Sequence, residues 1–344
     1  MNKVVKQHIQ WIDSAKFMAV LAVALNHSGG VLYQSANIEN AMYYAVSMFV
    51  IVSGFLGYKS EKRHSGKWND NFWRSVKEIV IAYIIASFLY YIKENRNFDF
   101  QGIIKGLLYF NISGQFYYVF LFIQLMLVRK PLYRIVSFYD NENGIIYECA
   151  IGIVLLFIAS LTTKYSNIMN IYGAGGKLFG GTCIFLFYMG MIISKYDLLK
   201  PLNMKNSIIC TSLAFVAWFV WWRFACLYKW SFDAFFPFGD GANPPSVTLM
   251  IMAFIMLYLW YGLFQFLNFF RGLRTICRVT AWLGEHTLYI FLYHSLFLNI
   301  CINRITTDNA LIKWIIFISS MLLGPIVIEF VVKRFIKKIV CLYS

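Results

Sequence analysis

Apolar residues fill this chain in long blocks separated by short polar segments. A bilayer core about 30 Å thick is crossed by about 20 consecutive apolar helical residues. Ten blocks approach that length, at about 14–34, 40–58, 78–93, 114–136, 145–163, 178–194, 206–227, 246–268, 282–303 and 311–332. The third and sixth are the shortest. Residues 102–112 are apolar but too short to span, and are expected to form an interfacial turn. The pattern predicts an all-α, polytopic integral membrane helix bundle of about ten transmembrane helices. The longest intervening segments, around 59–77, 94–113 and 228–245, read as loops. Residues 1–344 are therefore expected to form a single transmembrane domain with no separate soluble domain. No internal repeat or low-complexity tract is visible.

Composition sharpens this picture. The chain of 344 residues is 60% hydrophobic and 14% charged, with a mean hydropathy of +0.61. A soluble domain carries about 25% charged residues, so a soluble enzyme is excluded. With 33 Phe, 23 Tyr and 10 Trp, disorder is excluded as well. The net charge of +15 raises nucleic acid as a partner only until its distribution is examined. With the N-terminus in the cytoplasm, ten spans return the C-terminus there. Cytoplasmic segments then hold 21 Lys and Arg and outer segments 8, while Lys16 and Arg223 fall within spans. The first outer loop, Ser28 to Glu39, has no positive residue. The next inner loop has Lys59, Lys62, Arg63, Lys67, Arg74 and Lys77. Positive charge gathered on the cytoplasmic side is what orients a multi-pass cell-membrane protein. It also attracts anionic membrane lipid, and no nucleic-acid partner is expected. Seven Cys show no metal-like or Cys-x-x-Cys spacing, so no metal is expected.

Ionisable side chains inside a bilayer are costly and mark function. The first span is the richest in them. Lys16 and His27 are 11 residues apart, so at 100° per residue their directions differ by about 20° and their separation along the axis is roughly 16 Å. Asp13 lies three residues before Lys16 and can pair with it. One stripe thus offers a carboxylate and an ammonium near the inner end and an imidazole deep in the span. Lys16 could equally snorkel to the interface beside Asp13. His27 could equally be a core histidine bonded to a neighbouring helix. His294 in the ninth block could face the same cavity. Glu285 and His286 lie at the inner end of that block, and Glu329 and Lys333 form an i, i+4 pair at the end of the tenth.

These residues, in order, resemble the membrane acyltransferase-3 family, which O-acetylates bacterial surface polysaccharides and related glycans. The family's first span carries an Asp, an Arg three residues on, and a His after ten more. Asp13, Lys16 and His27 stand at those positions. The second family motif, Phe-x-x-Ser-Gly-Phe, is matched firmly by Ser53-Gly54-Phe55; Phe49 is one residue too far upstream. A basic entry to the third span is matched by Phe72-Trp73-Arg74-Ser75-Val76-Lys77. Tyr117-Tyr118, Gln124-Leu125 and Pro131 stand for the features of the fourth span, and Leu283-Gly284 with Tyr289, Leu292 and His294 for the C-terminal motif. The departure is Lys16 in place of Arg, which keeps the charge and loses the planar five-donor fork.

The resemblance implies acetyl-CoA, or another acyl-CoA, as donor and a glycan or lipid-linked sugar as acceptor. It implies His27, Lys16 and Asp13 as the catalytic group, Arg74 and Lys77 on the donor's phosphates, and Ser53, Tyr117, Tyr118 and His294 toward substrate. A neutral imidazole at His27 can take the proton of an attacking hydroxyl, or attack the thioester itself. The loop Trp230 to Pro245, rich in aromatics with Asp233, Asp240 and Asn243, suits either a sugar or a membrane-interface belt. The competing class is a proton-coupled or polysaccharide-precursor transporter, which an ionisable stripe serves equally well.

Overall fold

The computed structural model describes residues 10–63, 68–94, 99–138, 144–165, 178–227, 244–307 and 309–342. Over these the chain is helical, as expected of a segment that must satisfy its own backbone in hydrocarbon. The helices are α1 (Gln10–His27), α2 (Ala36–Met42), α3 (Tyr44–Arg63), α4 (Trp68–Glu94), α5 (Phe100–Tyr109), α6 (Tyr117–Val136), α7 (Gly144–Tyr165), α8 (Cys183–Lys195), α9 (Met204–Leu227), α10 (Val247–Asn268), α11 (Arg274–Glu285), α12 (Thr287–Arg304) and α13 (Ala310–Leu342). Short 3-10 turns precede α6 and α8.

Among the described residues, six stretches are long and apolar enough to cross a membrane: Ala36–Arg63, Ser75–Lys93, Gly144–Leu161, Met204–Arg223, Val247–Asn268 and Ala310–Phe335. The chain is a multi-pass membrane protein. Four of the ten expected spans depart from that description, each for a physical reason. The block at 14–34 is helical only to His27, where Ser28 Oγ donates to the Leu25 carbonyl (2.7 Å) and the chain turns. The block at 114–136 becomes α6, which holds Arg129, Lys130 and Arg134. The block at 178–194 shortens to the 13 residues of α8 because Gly180 and Gly181 take positive φ (73° and 56°) just before it. The block at 282–303 is not one span, since the helix breaks at His286 between α11 and α12. Residues 102–112, expected as an interfacial turn, instead belong largely to the ten-residue helix α5, closed by Phe110 at φ 52°.

The helices that fail the apolar test include those at the centre. In α1, Trp11 to Ala24 are largely buried, and α1 packs against α3, α10, α11 and α12. By contrast only 11% of the Met204–Arg223 window is buried inside the protein, so α9 presents its side chains to lipid. Two close approaches fix the core. A Cβ on Gly54 of α3 would collide with the Phe187 carbonyl of α8, and one on Gly190 of α8 with the Ile51 carbonyl of α3. A Cβ on Gly284 of α11 would likewise strike the Asp13 carbonyl of α1. The family-like Ser53-Gly54 and Leu283-Gly284 pairs therefore let backbones cross at contact distance. Around the second crossing, Ser14 Oγ donates to the Cys277 carbonyl (3.3 Å) and Thr280 Oγ to Ser14 Oγ (3.0 Å).

Candidate active site

At the start of α1, Lys16 Nζ pairs with Asp13 Oδ1 at 2.5 Å, as the i, i+3 spacing predicts. Lys16 lines a cavity of about 220 Å³ with Ser53, Glu78, Tyr118, Glu285 and Phe291. Ser53 and Tyr118 thus face one cavity. At the other end of α1, His27 lines a cavity of about 160 Å³ with Asn26, Gln115, Tyr117 and Phe291. Phe291 walls both cavities, within an aromatic cluster that joins it to Tyr118 (centroids 4.9 Å) and Phe49 (6.3 Å). A third cavity of about 190 Å³, walled by Ser53, Ser75, Phe122 and Arg129, continues the line on the far side of Lys16. Three neighbouring cavities thus run along the bundle, with Lys16 on the middle one and His27 on the last.

The residues expected on the substrate side divide between these cavities. Ser53 and Tyr118 belong with Lys16, and Tyr117 with His27. His294 is fully buried, and its ring lies 4.9 Å from that of His27 at 50°. Lys77 is exposed on α4 and lines none of the three; the face of α4 that reaches Lys16 carries Ser75, Glu78 and Ile79. Arg74 lies in α4, but its side chain is outside the described residues, as is most of the loop from Trp230 to Pro245.

Hydrogen-bond directions fix the state of His294. Its Nδ1 faces the Phe291 carbonyl (2.8 Å) and the Ile290 carbonyl (3.2 Å). A carbonyl only accepts, so Nδ1 carries the proton. Nε2 is then the acceptor, and Ser295 Oγ donates to it at 3.1 Å. Behind Ser295 stands Tyr90 of α4, whose hydroxyl accepts from Gln115 Nε2 (2.7 Å) and the Leu296 amide (2.8 Å). Gln115 Nε2 also donates to the Leu292 carbonyl (3.1 Å), and its Oε1 accepts from Ser113 (2.7 Å). The His294 imidazole is thus neutral with both nitrogens engaged. It cannot act as base or nucleophile without breaking those hydrogen bonds. His27, which remains accessible, donates no hydrogen bond to a carboxylate among the described residues. Its packing partner is the locked ring of His294, and Asp13 is committed to Lys16.

A second buried cluster supports the Lys16 end. His286, at the break between α11 and α12, pairs with Glu329 of α13 (Nδ1···Oε2 2.7 Å). Lys333 binds Glu329 Oε1 (2.6 Å) and Glu78 Oε1 (3.3 Å). Nearby, the buried Arg129 of α6 donates to Glu61 of α3 (Nε···Oε1 2.6 Å) and to Ser75 of α4 (2.9 Å). Gln124 has a structural task, accepting from the Phe179 amide (2.8 Å), a residue held at φ 51°. Sequence reasoning missed Gln115, Phe291, Tyr90 and the Arg129–Glu61 pair. Only Arg129 and Gln115 left a signal, as polar side chains within an apolar block.

These features define a polytopic helical membrane protein with a histidine site sunk inside the bundle. A family model for an acyltransferase domain matches residues 9–330. The chain belongs to the acyltransferase 3 family, and is a membrane acyltransferase. No curated protein and no solved structure matches it.

Proposed function

We propose that the protein is a cell-membrane O-acyltransferase, moving an acetyl or other short acyl group from acyl-CoA to a hydroxyl of a cell-surface glycan or lipid-linked sugar. The observation that carries this reading is an accessible His27 ring at one end of a line of cavities that passes Lys16. A cytoplasmic N-terminus, in keeping with the distribution of positive charge, puts the Lys16 end toward the CoA pool. There the ammonium of Lys16, held by Asp13, meets the anionic donor, and Arg74 and Lys77 at the membrane surface draw in its phosphates.

The acyl group and the acceptor hydroxyl meet at His27. The imidazole takes the hydroxyl proton, the oxygen attacks the thioester carbonyl, the C–S bond breaks, and the departing CoA thiolate recovers the proton. The same nitrogen could instead attack first and carry the acyl group as an acyl-imidazole before the hydroxyl displaces it. Ser53, Tyr118 and Tyr117 shape the walls, and the locked His294 packs behind His27. The test is transfer of labelled acetyl from acetyl-CoA to glycan acceptors by purified protein. His27→Ala abolishes it while the variant stays folded; full activity in that variant would sink the assignment. Solute uptake into proteoliposomes without any acyl transfer would favour a transporter.

A further inference from the structure

A further cavity holds none of the candidate site residues. It has a volume of about 760 Å³ and lies between α1, α9, α10 and the junction of α2 with α3. Met18, Leu21 and Leu25 of α1, Met42, Phe215 and Met256 wall it. The size suits a small-molecule site, which spans about 300–1,000 Å³, but such sites carry a few convergent polar groups and this wall is nearly all hydrocarbon. The outer flank is α9, the helix most exposed to lipid.

Two observations separate this space from a crevice filled by passing bilayer chains. First, Met42 walls both this cavity and that of His27, so a single flexible thioether side chain stands between the hydrocarbon space and the reacting imidazole. Second, Trp218 Nε1 on the wall is buried and finds no acceptor among the described residues. Buried indole N–H groups are normally paired. An ether, ester or phosphate oxygen at the head of an aliphatic chain is the kind of acceptor that completes it.

We propose that this cavity receives the long aliphatic anchor of the acyl acceptor. The acceptor is then an amphiphile, with a hydroxyl-bearing sugar head at His27 and a hydrocarbon tail passing Met42 to lie between α1 and α9. The inference rests on the acyltransferase reading above and narrows its acceptor to the lipid-linked class. A tail already dissolved in the bilayer gains little by moving into another apolar space. The cavity therefore contributes position more than affinity, confining the head beside the imidazole.

The experiment uses the full-length protein in nanodiscs with acetyl-CoA and two acceptors of identical head, a long-chain alkyl glycoside and the free sugar. Ser212 of α9 is exposed and lines the cavity, so Ser212→Trp fills the space, with Ser212→Ala as control. Ser212→Trp should lower transfer to the alkyl glycoside at least tenfold and leave transfer to the free sugar unchanged. An equal loss for both acceptors, or a loss for neither, overturns the proposal. A binding arm is independent of turnover and separates this proposal from the acyltransferase reading, which fails if wild-type protein acylates neither acceptor. An alkyl glycoside with a diazirine at its tail end should label the segments around Leu21, Phe215 and Met256. Ser212→Trp should abolish that labelling, and unlabelled alkyl glycoside should displace it where a phospholipid of equal chain length does not. Equal displacement by phospholipid, or equal labelling of the lipid-facing sides of α7 and α13, overturns the proposal.

Discussion

The two ends of α1 are built from opposite chemistries. Around Lys16 the bundle gathers formal charges, with Asp13, Glu78, Glu285, Glu329 and Lys333 on or beside the cavity wall. Around His27 the polar groups are neutral: Asn26, Gln115 and Tyr117, with Tyr90, Ser295 and His294 behind them. A charge-lined space suits capture of a multiply anionic donor. A neutral network suits the handling of one proton. On the proposed acyl-transfer reading the two tasks lie on a single helix, Lys16 and His27 being about 16 Å apart along its axis.

The most severe way to break the comparison is at His27. His27→Ala is expected to reduce transfer at least 100-fold, the lower range for loss of a general acid–base group. A loss below fivefold in a folded variant would move the chemistry elsewhere. Next comes the neutral network. Tyr90→Phe leaves the buried Gln115 and Leu296 donors without their acceptor, a cost of about 1–3 kcal/mol. We expect kcat to fall about tenfold with the acyl-CoA KM unchanged. A change confined to KM would show that Tyr90 acts on binding and does not position His294.

At the charged end the effect should fall on the other constant. Lys16→Gln is expected to raise the acyl-CoA KM three- to tenfold, in line with loss of a charge-assisted contact, and Lys16→Arg should restore most of it. Equal kcat losses in Lys16→Gln and Lys16→Arg would mean that Lys geometry matters more than its charge. Smallest of all is Lys77→Ala. This exposed group acts through a screened field, so the expected change is within about twofold at low salt and vanishes near 1 M salt. A larger, salt-independent loss would assign Lys77 a direct contact.

The stripe of Asp13, Lys16 and His27 is legible in the sequence because it depends only on helical periodicity within one element. The network behind His294 is not, because it joins Tyr90 of α4, Gln115 before α6 and Leu296 of α12, residues up to 206 positions apart. Composition also misleads about depth. Residues in α1, α6 and α12 carry the polar groups that weaken their hydropathy, yet those helices sit inside, where other helices rather than lipid meet the polar groups. The two most strongly apolar stretches, in α7 and α13, have flanks that face lipid. The break at His286 leaves little signal, because no proline marks it and the apolar block runs straight through.

The ring of Phe291 has a consequence for the cell as well as for the reaction. Polar spaces aligned through a bundle would otherwise form a wire for ions, and the membrane's stored voltage would drain through it. Packed against Tyr118 and Phe49, Phe291 walls both the Lys16 and the His27 cavity, and we propose that it insulates one from the other. Phe291→Ala should therefore make proteoliposomes leaky to protons. If they hold their gradient as well as wild type, the electrical seal lies elsewhere along the bundle.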